Sequence, residues 1–106
     1  MIKINCKEGV WFKFLSYEFL TLARIFYRIY ENYGLIATVT SACDGKHMEG
    51  SCHYLGLGWD WRIWGLKDPK SVADQIRQEA QAIDYRYDIV LEGDHIHSEY
   101  DLNKRQ

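Results

Sequence analysis

The sequence is short of the residues that cross-link, kink or embed a chain. Its 106 residues include one proline, Pro69, and three cysteines. It has no low-complexity stretch and no internal repeat, and apolar residues make up 47% of it. This composition excludes a disordered polymer and confines disorder to the tail Asn103-Lys104-Arg105-Gln106. Cys6, Cys43 and Cys52 are odd in number and lack zinc-ribbon spacing, so they read as free thiols of a reducing cytosol. The longest apolar stretch is broken by Glu18, Arg24 and Arg28, which argues against a membrane span. Met1 to Cys6 lacks the apolar region of a signal peptide, so synthesis in the cytoplasm is expected. The net charge of −2 is spread along the chain with no basic patch. Neither a nucleic acid nor a membrane is therefore an expected partner. The length suits one domain over residues 1–106 with a modest core.

Periodicity organises that domain. A short edge strand is expected over residues 2–5. Leu15, Phe19, Leu22, Phe26, Ile29 and Tyr33 recur at spacings of four and three, which predicts a helix over 16–33 with one buried stripe. Gly34 is its stop signal, and Arg24 and Arg28 suit the negative end of its dipole. Residues 35–41 read as a strand, 42–52 as a loop and 55–64 as a central strand. Alternation in that strand places Leu57, Trp59, Trp61 and Ile63 on one face and Gly58, Asp60, Arg62 and Trp64 on the other. Asp68-Pro69 is an N-cap followed by a first-turn proline. It opens a second helix whose stripe is Val72, Ala73, Ile76, Ala80 and Ile83. Strands over 86–91 and 95–100 flank a Gly93-Asp94 turn and pair as a hairpin. The expected fold class is α+β, a small, mainly antiparallel sheet packed against helices.

Four polar residues stand out: His53, Asp60, Glu92 and His95. Two imidazoles and a carboxylate form a three-ligand set for a catalytic zinc that keeps its fourth position open. Glu92, three residues before His95, stands where a general base for an attacking water is needed. His53 and Asp60 are seven residues apart, so a regular strand would point them to opposite faces. One shared ion then requires His53 to precede the strand, or a bulge, which Gly56 and Gly58 favour.

Ser51-x-His53-x-x-Gly56-x-Gly58-x-Asp60 followed by Glu92-x-x-His95 resembles the M15 zinc peptidases, which include D-alanyl-D-alanine carboxypeptidases, dipeptidases and phage endolysins. Gly58 stands where the family has Ala, and the likeness extends more weakly over residues 15–101. The resemblance implies a Hedgehog/DD-peptidase-like fold with one Zn2+ per chain on His53, Asp60 and His95. It also implies Glu92 as the base and peptidoglycan stem peptides as substrate. A phage-infected or prophage-carrying bacterium is the expected source, with action at the cell wall. Family members carry an Arg after the strand that precedes the His block, where it binds substrate carboxylate or stabilises charge. Residues 39–44 hold none, leaving Lys46, Arg62 or nothing in that role.

The same residues have plainer readings. Asp60 can form a salt bridge with Arg62, and Glu92 can be an exposed turn residue. His95 and His97 share a strand face, and either can reach a metal; the spacing from Glu92 favours His95. His97 then supports a ligand or contacts substrate. Cys52 is a stray ligand candidate. Lys46 and His47 are substrate-contact candidates or solvated loop residues. Ser51 can hydrogen-bond within the loop or hold a ligand, and no base beside it suggests a nucleophile. Glu99 and Asp101 read as solvated charges. The rival to a peptidase is a non-catalytic zinc-binding phage structural or binding domain of the same fold, in which the metal serves stability. A further rival is a metal-dependent hydrolase of another amide.

Overall fold

A computed structural model describes residues 2–12, 14–42 and 57–106. Helix α1 spans Tyr17–Glu31 and α2 spans Pro69–Ile83. Among the described residues, five strands follow the order β1 (Asn5–Cys6), β2 (Thr38–Ser41), β3 (Gly58–Arg62), β4 (Tyr87–Glu92) and β5 (His95–Tyr100). They form one sheet in the spatial order β1-β2-β3-β5-β4. The β1–β2 pair is parallel and the other pairs are antiparallel. The domain is therefore a small α+β unit with a mixed five-stranded sheet, and no described helix is long and apolar enough to cross a membrane.

Local signals set the helix ends. Ser16 accepts from the Phe19 amide at the start of α1, and Asp68 accepts from the Ser71 amide at the start of α2. Gly34, at φ 72°, ends the α1 turn. Leu35 N–H then donates to Tyr30 O and Gly34 N–H to Glu31 O, the paired bonds of a Schellman closure.

The apolar stripes of both helices join one core with the inner face of the sheet. Trp59 and Trp61 are buried there, and the Phe26 ring stacks on Trp61 at 3.9 Å between centroids. Three stripe residues depart from expectation. Leu15, Tyr33 and Ile83 are exposed, because they lie before, beyond or at the ends of helices whose middle turns cover the sheet. Ile25 and Tyr30 are buried instead. Ser98 is fully buried among apolar neighbours. Its hydroxyl donates to Trp59 O and accepts from Trp61 Nε1, both at 2.8 Å.

The strands are shorter than the apolar runs suggested. Residues 35–37 lie outside β2 and residues 63–64 outside β3. The register between β2 and β3 shifts by one residue between Val39 and Ser41, opposite Trp61 and Asp60. The bulge expected between His53 and Asp60 falls largely outside the described residues.

Candidate functional site

The face of the sheet turned away from the helices carries the charged residues. Along β5 the residues alternate, with Ile96, Ser98 and Tyr100 buried and His95, His97 and Glu99 facing outward. Asp60 on β3 pairs in register with His97, and Arg62 with His95. Glu92, at the end of β4, is the register partner of His95 across the hairpin. Three strands thus place Asp60, Arg62, Glu92, His95, His97 and Glu99 on one surface.

His95 is the hub. Its Nδ1 lies 2.8 Å from Asp94 Oδ1, a contact that also lowers the Asp94 pKa. When Nδ1 donates there, the Nε2 lone pair faces the sheet. Nε2 lies 3.6 Å from Asp60 Oδ1 and 3.5 Å from Glu92 Oε1. The Asp60 distance is too long for a good hydrogen bond. It is close to the spacing of two ligand atoms around tetrahedral zinc, about 3.4 Å for bonds of about 2.0–2.2 Å. Asp60 and His95 therefore fit as two corners of such a site. Glu92 is half-exposed beside them, in reach of solvent for proton exchange.

Both ring nitrogens of His97 are engaged by carboxylates. Its Nδ1 lies 2.8 Å from Asp60 Oδ1 and its Nε2 lies 2.7 Å from Glu99 Oε1. Burial opposes the imidazolium, but the two hydrogen bonds and the two carboxylate charges outweigh it and push its pKa up to about 9. His97 thus fixes the Asp60 carboxylate from the side.

Two sequence readings change here. Glu99 is not a solvated charge: its side chain is 27% exposed and is bound to His97. The period-two alternation that aligned His95 with His97 also aligned Glu99 with them, so the signal was present. The plainer reading of Asp60, a salt bridge with Arg62, is not seen; the Arg62 guanidinium lies over the Trp64 ring, 3.8 Å from the centroid. Asp101 caps Asn103 N–H and joins Asp88 and Glu99 in an acidic group. Among the described residues, that trio alone brings three possible metal-ligand atoms within 4.8 Å of one another. Lys104 already pairs with its Asp88 at 2.6 Å.

A cavity of about 240 Å³ opens beside His95, lined by Lys7, Thr40, Arg62, Trp64, Asp94 and His95. Sequence reasoning gave no role to Lys7, which reaches this cavity from the segment after β1. His53, Ser51, Lys46, His47 and Cys52 lie outside the described residues, so the third expected metal ligand and the loop candidates are not among the residues located here. Comparison with known proteins gave no matching family model, no matching curated protein and no matching solved structure.

Proposed function

We propose that the chain is a zinc-dependent peptidase of the M15 type that hydrolyses peptide bonds of peptidoglycan stem peptides. His53, Asp60 and His95 hold one zinc ion, and Glu92 is the general base. The observation that carries this reading is the convergence on His95 Nε2, with Asp60 Oδ1 at 3.6 Å and Glu92 Oε1 at 3.5 Å. The choice of substrate rests on the motif resemblance.

Zinc in that position supplies Lewis acidity toward water and the scissile carbonyl. The side chains supply the rest. Asp94 holds the His95 ring in the tautomer that offers Nε2. His97 holds Asp60. Glu92 removes a proton from the attacking water and delivers it to the leaving amine.

The deciding experiment measures zinc content and release of amino acids from wall fragments on the same preparations. Asp60→Ala and His95→Ala should lose zinc. Glu92→Ala should keep zinc and lose about 10²- to 10⁴-fold in rate, the usual loss on removing a general base. Full zinc occupancy in His95→Ala would overturn the ligand assignment. Wild-type rates in Glu92→Ala would overturn the catalytic one.

A second reading keeps the metal without catalysis, as in a structural or binding domain. The hydrogen-bonded Asp60–His97–Glu99 chain favours it, because such a network rigidifies the sheet face whether or not a reaction follows. Stoichiometric zinc with no hydrolysis of any wall peptide would select that reading.

A further inference from the structure

Strand β4 is an edge of the sheet, and the ladder phase shows which of its backbone groups are free. Tyr100 N–H donates to Leu57 O, so Ile96, Ser98 and Tyr100 direct their backbone groups toward β3. Antiparallel alternation then turns His95, His97 and Glu99 toward β4, where they meet Glu92, Val90 and Asp88. Tyr87, Ile89 and Leu91 are left pointing N–H and C=O away from the sheet. Tyr87 is provided for: its N–H donates to Asp84 O, and its carbonyl accepts from Gln81 Nε2 at 3.0 Å. Among the described residues, nothing bonds the outward groups of Ile89 and Leu91. The opposite edge, β1, is only two residues long, a common way to blunt an edge. By contrast, β4 has six residues without proline, lysine or bulge. A cavity of about 250 Å³ runs beside it, between residues 89–91 and the Lys70, Ala73, Asp74 and Arg77 side of α2. Lys70 and Arg77 both bind Asp74 Oδ1, each at 2.9 Å, so two cations share one carboxylate and the helix wall keeps a net positive charge.

We infer that the groove between β4 and α2 takes an extended, acidic peptide segment of a partner protein, which adds to the sheet as a strand beside Ile89 and Leu91. Main-chain hydrogen bonds to the two free residues supply the affinity of such strand addition, and alternate side chains supply its selectivity. In an antiparallel arrangement, the side chains opposite Ile89 and Leu91 point toward α2, where a carboxylate meets Lys70 and Arg77. A second copy of this chain fits less well. The two-fold register that uses Ile89 and Leu91 of both copies centres on Val90. It sets Asp88 against Glu92 of the other copy, and like charges directly opposite destabilise a ladder. The groove lies on the helix side of the edge, whereas His95 and His97 face outward, so the inference stands apart from the metal chemistry.

The test follows backbone amide signals of the full chain by NMR, with chelator present throughout. The probe is the capped peptide Thr-Val-Thr-Glu-Thr-Val-Thr, which puts valine and glutamate on one face and threonine on the other. The expected result is a saturable shift of the Ile89 and Leu91 amides, with slower hydrogen exchange at both. A probe methylated at the valine and glutamate nitrogens loses the donors that face β4 and should bind at least about tenfold more weakly. A probe methylated at the threonine nitrogens keeps them and should bind like the parent. Replacing the probe's glutamate with glutamine should weaken binding about two- to fivefold, and the double variant Lys70→Gln, Arg77→Gln should lose that preference. Thermal melts establish that the double variant is folded. No saturable shift at millimolar probe, shifts centred away from β4 and α2, or equal binding of the two methylated probes would overturn strand addition. A preference for glutamate that is missing in the wild type, or that survives in the double variant, would overturn the acidic assignment. Ile89 and Leu91 signals that move with protein concentration alone would make a second copy the occupant and overturn the peptide.

Discussion

Replacing Ser98 with alanine removes one oxygen from the centre of the molecule, and its cost can be worked from the structure. The hydroxyl is fully buried and holds two hydrogen bonds, from Trp61 Nε1 and to Trp59 O, each 2.8 Å. Each buried hydrogen bond contributes about 1 kcal/mol net, and a donor left unsatisfied costs about 1–3 kcal/mol. Trp61 is fully buried and its indole N–H would lose this partner. The expected destabilisation is about 2–3 kcal/mol, a large share of the roughly 5–15 kcal/mol typical of a domain. At about 4–8 °C per kcal/mol, the melting temperature should fall by roughly 8–24 °C. Urea unfolding should show a lower midpoint with an unchanged slope. Repeating Ser98→Ala in a Trp61→Phe background isolates the indole bond, since the donor is then gone. There the serine substitution should cost about 1 kcal/mol less. A cost under about 0.5 kcal/mol in the wild-type background, or the same cost in both backgrounds, would refute this account of the core.

Other outcomes follow from the same geometry. In chelator-treated protein, the stability contributed by the His97 charge should be complete below its unfolded value of 6.5 and be lost as pH rises through about 9. Melting curves from pH 6 to 10 should show this decline in the wild type and not in His97→Gln; parallel curves would refute it. Gly34→Ala should cost about 1 kcal/mol by chemical denaturation, since at φ 72° nothing lies within 4 Å of an added methyl and the strain is in the backbone alone. Gly65→Ala should cost more, because an added methyl at φ 86° would also meet Leu35 Cδ2 at 3.0 Å. Asp68→Ala should cost about 1 kcal/mol through loss of the α2 cap.

The helices and the final hairpin were legible in the sequence because their signals are local. The spacing of Phe19, Leu22, Phe26 and Ile29 fixes one face of α1, and Gly93-Asp94 between two alternating runs fixes the β4–β5 turn. The outward face of β3 was equally legible, since Asp60 and Arg62 alternate with buried tryptophans. Strand ends were less so. Residues 35–37 have strand-like composition, but a strand ends where its partner ends, and that depends on residues far along the chain. The site shows the same division. Asp60, Glu92 and His95 were singled out; each carboxylate lies within 3.6 Å of His95 Nε2, while His53 lies outside the described residues. The place of Glu99 was carried by the alternation of β5 itself, whereas that of Lys7 depended on the parallel pairing of β1 with β2. That register is not encoded by a neighbouring residue.

The pairing of β3 with β5 has a consequence for the order of events in folding. The β4–β5 hairpin forms from adjacent residues and can take shape early, with α2 beside it. Asp60 comes from the other side of α2, and its contact with His97 spans 37 residues of chain. Such a closure carries a larger entropy cost and comes with long-range ordering. On this order, His95 and Glu92 would be assembled before the carboxylate that completes their surroundings. Capture of an ion through both strands would report that β3 has docked, and would pull the folding equilibrium toward the finished sheet. Such an ion would slow unfolding most strongly if β3 is the first strand to leave, and the outer face of the sheet would then act as a latch on the kinetic lifetime of the fold.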